Sequence, residues 1–479
     1  MVQVDAERQQ RLIYLRNKAN DLRTTERQLC LQLAQVRESL SCVCLEEAEI
    51  TNLSTPVSSL PNEILGEIFR YTKDSYNDDN IPDIVVVSHV TRHWRNVALS
   101  NPSLWDTIRL DASDPSMDLP IAFLTRSKPC TLDITLGFPD DAPMSSLRML
   151  SVLIPHFGHI RRLVIQSGDN EHIVEQIVKS LVKFHVPSLE RLEISLELGD
   201  SQDSALWRER SLIFSSGAPL LSSVALDGIS LQCCQPPLAA ITHLSLDSDG
   251  DATILMPYDY FCDALSACSS LISLELQGRL FAFTLNNTAI RIEIPSLVCF
   301  AVGYPIHYRQ DHYIRSIFET ISAPALQTLN LNYMHRQTLQ VAVDFIQSRQ
   351  LYPMLEHLRL EEPAVECITA DFIRATASVT HLTLIYVGGI PRKMAALAPL
   401  LRHKHPPATP ADALWPRLHT LSVYVFDEVF LRDLITTRIA VGAPLLTLRI
   451  ESGTYDTLRP DQIAWCQARL KVESVDFDL

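Results

Sequence analysis

Pro324-Ala325-Leu326-Gln327-Thr328-Leu329-Asn330-Leu331, echoed by Pro353-Met354-Leu355-Glu356-His357-Leu358-Arg359-Leu360, decides how the larger part of this chain folds. Leu329 and Leu331 stand two residues apart, the period at which side chains of a strand return to the same face, so they point to one side and Asn330 to the other. Working outward, the L-x-x-L-x-L pattern appears twelve times, from Ile160/Leu163/Ile165 through Leu244/Leu246 and Leu274/Leu276 to Leu448/Ile450 and finally Val472/Val475/Phe477. Copies lie about 28 residues apart. Several begin with a proline two places before the first apolar residue, as at Pro187, Pro295 and Pro416, where the ring ends a preceding helix and favours extended backbone. Helical patterns fill gaps at 311–321, 337–349 and 367–377, and two weaker strands at 104–110 and 131–136 lead into the series. Strands alternating with helices define an α/β class.

This region resembles a degenerate leucine-rich-repeat solenoid covering residues 109–479. The resemblance is incomplete, because the Asn or Cys that follows the strand in that family is replaced by Met334, Pro363 and Val387. The longest gap contains Pro406, Pro407 and Pro410, read as a projecting loop. If the Leu positions face the core, their neighbours form an outer sheet face. Arg191, Glu193, Asp247, Glu275, Asn330, Asn332, His357, Arg359, Glu361, Tyr424 and Arg449 are then the candidate substrate-binding residues. Any one of them could be an ordinary solvated side chain. As a set they suit a protein or peptide partner, since curved repeat arrays bind on such faces.

The 479 residues carry a formal net charge of −15, which argues against nucleic acid or an anionic membrane as partner. No window approaches the roughly 18 uninterrupted apolar residues of a membrane span, so a cytoplasmic or nuclear protein is expected. Eleven scattered cysteines form no C-x-x-C pair and are expected to be mostly small buried hydrophobes. Glycine is scarce, with 14 residues, and no phosphate-cradling loop, nucleophile elbow or His-Glu-x-x-His helix is present. His403 and His405 lie in the Pro-rich loop without a nearby carboxylate or thiolate. No enzymatic activity, cofactor or metal is expected.

At the other end of the chain, Leu12, Ala19, Leu33 and Leu40 alternate with Leu15, Leu22, Leu29, Val36 and Val43 in a heptad interrupted at Glu26. Residues 1–50 therefore read as a coiled-coil-like helix able to self-associate, or as an amphipathic helix laid on the unit that follows. That unit, residues 58–108, contains Leu60-Pro61-Asn62-Glu63-Ile64-Leu65-Gly66-Glu67-Ile68-Phe69, then Pro82-Asp83-Ile84-Val85-Val86-Val87, His93-Trp94-Arg95 and Leu104-Trp105. Pro61 suits a helix start, Glu63 suits its positive end, and Ile64, Leu65, Ile68 and Phe69 share one face. So small a helical cluster buries little apolar surface alone and is expected to dock on a partner.

The stretch resembles an F-box, with Thr91 where that family often has Cys. The resemblance implies that Leu60, Pro61, Ile64, Leu65, Ile68, Phe69, Val87 and Trp94 form or support a surface for a Skp-type adaptor, and through it a cullin. The whole combination resembles fungal, mushroom-type F-box proteins. It implies a substrate-recognition adaptor of a Skp–cullin–F-box ubiquitin ligase, with a protein substrate of unknown identity. A scaffold that binds the Skp adaptor without delivering substrate is the alternative.

Overall fold

A computed structural model describes the chain apart from residues 1, 73–80, 114–115, 141–146, 169–170, 197–209, 249–254, 284–289, 304–310, 335, 350–351, 362–367, 386–414 and 478–479. His403, His405, Pro363, Val387 and the Pro406–Pro410 loop lie outside the described residues. Two compact units are present, residues 1–105 and 106–479.

In the first unit, helix α1 runs from Val2–Leu53. Its heptad residues Leu12, Leu15, Leu22, Leu29, Leu33, Val36, Leu40 and Val43 are each between 50% and 65% exposed, so the seam is not laid against the rest of this unit. Helices α2 (Asn62–Arg70), α3 (Asp83–Ser88) and α4 (Arg92–Leu99) follow, and a short 3-10 turn spans Pro102–Leu104. Pro61 and Pro82 occupy the N-cap positions of α2 and α3, with Glu63 and Asp83 in the first turns beside the positive helix ends. Thr91 caps α4, its Oγ1 accepting from the Trp94 N–H at 3.1 Å. A cysteine there would be a poorer acceptor for that orphan donor. Leu65, Phe69, Ile84, Val97, Ala98, Leu104 and Trp105 make the small core, and the Trp105 indole N–H donates to the Ala98 carbonyl at 2.8 Å.

The second unit is built on strands β1 (Thr107–Asp111), β2 (Leu132–Phe138), β3 (Ile160–Ser167), β4 (Arg191–Leu196), β5 (Ser223–Asp227), β6 (His243–Ser248), β7 (Met256–Pro257), β8 (Ser273–Gly278), β9 (Phe281–Ala282), β10 (Ile292–Glu293), β11 (Cys299–Gly303), β12 (Ile321–Ser322), β13 (Thr328–Asn332), β14 (His357–Glu361), β15 (His381–Ile385), β16 (Thr420–Val423), β17 (Thr447–Glu451) and β18 (Lys471–Val475). Fourteen of them form one sheet in the order β1-β2-β3-β4-β5-β6-β8-β11-β13-β14-β15-β16-β17-β18, and every pairing is parallel. The short strands pair among themselves, β7 with β9 and β10 with β12.

Parallel neighbours require a crossover between them, and helices such as Glu171–Leu181, Tyr258–Ala267, Asp311–Thr320 and Glu428–Ala440 supply it. The core lies on the Leu side of the sheet, where Leu326, Leu329 and Leu331 are at most 1% exposed. The two weaker strands expected at 104–110 and 131–136 are β1 and β2, full members of the same sheet.

The prolines ahead of the strands have a more specific place than a helix stop. Leu189, Leu297, Leu326, Leu355 and Leu418 each donate an N–H to the carbonyl three residues back, on Val186, Ile294, Ala323, Tyr352 and Trp415. Pro187, Pro295, Pro324, Pro353 and Pro416 thus fall at the second position of a β-turn, which a fixed φ suits.

One expected copy is corrected. Val472 stands opposite Leu448 and Ser474 opposite Ile450, so Val472 and Ser474 occupy the core register of β18 and Val475 lies beside Glu451. The cause is Leu470, which is 9% exposed and precedes Val472 by two residues where earlier copies use three.

Two glycines close strands where the backbone takes positive φ: Gly228 at 68° and Gly278 at 73°. A Cβ on either would come within 2.1 Å of the Leu196 carbonyl oxygen or 2.0 Å of the Ser248 carbonyl oxygen, both backbone atoms of the neighbouring chain segment. Gly228→Ala and Gly278→Ala are expected to destabilise the fold by about 1–3 kcal/mol each. Gly158→Ala, with nothing within 4 Å of its Cβ, should be near neutral, and urea titration of the three variants checks the contrast.

Candidate functional site

Two surfaces, one in each unit, carry the residues singled out from the sequence. On the helical unit, α2 divides its apolar residues between inside and outside. Leu65 and Phe69 are buried, at 0% and 1% exposure, while Ile64 and Ile68 are 47% and 46% exposed. The latter pair is four residues apart and so shares a helix face. Phe69 meets Trp94 with ring centroids 5.1 Å apart at 51°, which holds α2 against α4, and Trp94 remains half-buried. Leu60 is half-buried, and Pro61 is exposed at the start of α2. Val87 is half-buried, whereas Ile81, Val86 and Val90 are exposed. The sequence reading missed these three as surface residues. The signal available was the phase of α3, which begins at Asp83.

A groove of about 720 Å³ lies beside this helical cluster, between Leu45, Ala48 and Asn52 of α1 and the stretch from His89 through the first turn of α4 to Arg95.

On the sheet unit, strict parallel register arranges the outer residues in rows. One row reads Glu193, Ala225, Ser245, Glu275, Ala301, Asn330, Arg359, Thr383, Ser422, Arg449 and Glu473. Five residues picked separately along the sequence, Glu193, Glu275, Asn330, Arg359 and Arg449, therefore share one line. Arg191 and His357 fall in the row nearer the strand starts, with His243 and His381. Asp247, Asn332 and Glu361 fall in the row nearer the strand ends, with Asp227 and Glu451. Tyr424 lies just past β16 and donates its N–H to the Leu384 carbonyl. Asn332 is only 8% exposed, so its backbone position is on the row but its side chain is covered.

Hydrogen bonds and ion pairs hold these rows. Arg162 donates to both carboxylate oxygens of Glu193 at 3.0 and 3.1 Å, and Arg191 Nε lies 3.6 Å from the same group. Ser245 and Gln277 donate to Glu275 at 3.2 and 3.3 Å. At the far end Arg449 and Lys471 reach Glu473 at 2.9 and 2.6 Å, and hydrogen bonds from Lys471 and then Arg449 hold that carboxyl below its ordinary range. Exposed pairs of this kind contribute little stability, so their effect is to fix side-chain directions. Glu473 escaped the sequence reading because the register of β18 was shifted there.

His357 and His381 stack with ring centroids 4.3 Å apart and an interplanar angle of 12°. Burial, followed by the repulsion of His357, Arg449 and His419, pushes the His381 imidazole below its usual pKa. A cleft of about 450 Å³ opens at the ends of the first strands, lined by Asp111, Gly137, Asp140, Gln166, Ser167 and Ser195.

Among the described residues no group of three or more His, Cys, Asp or Glu could hold a metal. No helix among them is long and apolar enough to cross a membrane. Cys233, Cys234, Cys262, Cys268 and Cys466 are buried, half of the ten described cysteines rather than most of them as expected, and burial alone pushes the Cys233 thiol up to about 12. Cys30, Cys42 and Cys44 on α1 are exposed.

Residues 57–111 match the F-box-like family, a span from the turn before Leu60 through the three helices and Trp105 to the end of β1. No curated protein matches the chain. The chain thus carries an F-box-like domain.

Because the folded pKa of His381 lies below its unfolded value near 6.5, the unfolded state binds more protons as pH falls through that value. Stability contributed by the neutral imidazole is present above this range and lost below it. His381→Gln is expected to lose less melting temperature than the parent between about pH 7 and pH 5, a difference that thermal melts across that range will read.

Proposed function

We propose that this chain is a substrate-recognition adaptor of a Skp–cullin–F-box type ubiquitin ligase. The observation that carries the reading is the F-box-like match at residues 57–111, supported by the exposed aliphatic residues Ile64, Ile68, Val86 and Val90 on its helices. An exposed apolar face on so small a unit suits coverage by a Skp-type adaptor. Leu60, Pro61, Val87 and Trp94 contribute at its margins, while Leu65 and Phe69 act from beneath by holding α2 in place.

The second unit is read as a degenerate leucine-rich-repeat solenoid whose outer rows bind a protein substrate. Support comes from the sequential parallel sheet and from the recurring triplet of buried apolar residues. The mixed charges of Arg191, Glu193, Glu275, Arg359 and Arg449 suit a polar protein epitope. Catalysis is assigned to other subunits of the ligase, with no cofactor or metal on this chain. A scaffold that holds the Skp adaptor without recruiting a cullin is the competing reading, and copurification with a cullin distinguishes the two.

The docking surface is tested with exposed positions, so that loss of binding is not loss of fold. Ile64→Asp combined with Ile68→Asp is expected to leave the melting temperature within a few degrees of the parent and to reduce Skp-adaptor capture at least ~10-fold, since two apolar contacts of about 1.5–3 kcal/mol each would be lost. Undiminished capture by the folded double variant would falsify the assignment. Leu65→Asp places a charge in the core and is expected to unfold the unit.

A further inference from the structure

We infer that α1 pairs with α1 of a second copy of this chain in an antiparallel orientation. The apolar seam from Leu12 to Val43 stands open along its length, and its own symmetry supplies the register. Pairing each residue with the one that mirrors it about the middle of the seam sets Leu12 opposite Val43, Leu15 opposite Leu40, Ala19 opposite Val36 and Leu22 opposite Leu33 of the second copy. Every layer then joins the two kinds of seam position. The interruption is also accommodated, because Glu26 falls opposite Leu29 and can turn its carboxylate toward the rim.

Charge decides between the two orientations. Within the first half of the seam, residues 11–27, cations prevail, with Arg11, Arg16, Lys18, Arg23 and Arg27 against Asp21 and Glu26. Residues 37–49 carry Glu38, Glu46, Glu47 and Glu49 against Arg37. A parallel, in-register pair would superpose like on like. Its flanking contacts would be Arg11 with Arg16 and Lys18 with Arg23, and Glu26 would face Glu26 in the seam, each a repulsion. The antiparallel pair brings Arg11 beside Glu46 of the second copy and lays the cationic part over the acidic part. Its like-charge meeting, Arg16 with Arg37, is a flanking contact like those of the parallel pair, and the Arg11–Glu46 attraction offsets it, whereas the parallel pair has no attraction to set against its repulsions. The orientation also sends the two F-box-like units to opposite ends of a helix pair whose overlap is about 48 Å long at 1.5 Å per residue.

The test uses the full chain with Cys30, Cys42 and Cys44 changed to Ser. Light scattering is expected to give twice the chain mass. Ala19→Cys with Val36→Cys in one chain is expected to form a disulfide-linked dimer under mild oxidation. Either single variant should cross-link at least ~10-fold less, because the two copies of residue 19, or of residue 36, would lie about 26 Å apart. A monomer mass overturns the association itself. A dimer in which Ala19→Cys or Val36→Cys alone cross-links as well as the double variant overturns the antiparallel orientation.

Discussion

From β4 to β16, one carbonyl just ahead of each strand of the large sheet accepts two successive amides from the next strand's entrance, and the spacing of the core residues follows from this contact. The Ser222 carbonyl accepts from Thr242 and His243, Thr242 from Ile272 and Ser273, Ile272 from Val298 and Cys299, and the series continues through Gln327, Glu356 and Thr380 to His419. Two N–H groups aimed at one oxygen put an extra residue into the chain at the strand entrance, as a bulge does. The spacing between the first and second apolar residues therefore becomes three, while the second and third keep the strand spacing of two. Strand β18 shows the dependence from the other side. Only Lys471 donates to the Leu446 carbonyl there, and Leu470 precedes Val472 by two residues. Where the double contact is absent, the extra residue is absent with it.

The helical unit solves a different problem. Its core is small, so individual contacts matter more: the Trp105 indole on the Ala98 carbonyl and the Phe69–Trp94 rings tie separate segments together, and the Thr91 cap closes the start of α4. A core of this size leaves aliphatic side chains outside, and Ile64, Ile68, Val86 and Val90 are the result. Burying them in the unit would require another layer of structure. The exposed face and the small size are thus two aspects of one constraint.

Most of the sheet was legible because its signal is local and repeated: a period of two, a turn with proline, and apolar residues that recur. What escaped was set by neighbours distant in sequence or by small shifts of phase. The face of β18 depends on Leu470 filling the core, which no pattern centred on Val475 reveals. Arg438 reads as a polar residue of the helix Glu428–Ala440, yet it is 1% exposed and donates to the carbonyls of Trp415 and Leu418. Its partners are backbone atoms of the turn before β16, invisible as residue types. In the F-box-like unit the apolar set on α2 was readable as a set. Its division into Leu65 and Phe69 inside, Ile64 and Ile68 outside, needed the position of α4.

Among the described residues each strand of the large sheet pairs only with the sheet strands that come before and after it in the chain, so no pairing waits for a distant segment to return. The length of the sheet is a free variable. A gene duplication or deletion of one strand with its crossover would add or remove one member of the sheet and leave the other pairings as they were. A single-codon insertion at a strand entrance is the harsher change, since it would turn the strand over and exchange a Leu row for a charged one. A sheet so ordered thus tolerates the gain or loss of a whole strand with its crossover better than a one-residue shift within a strand, and the outer rows can lengthen or shorten while the helical unit keeps its own core.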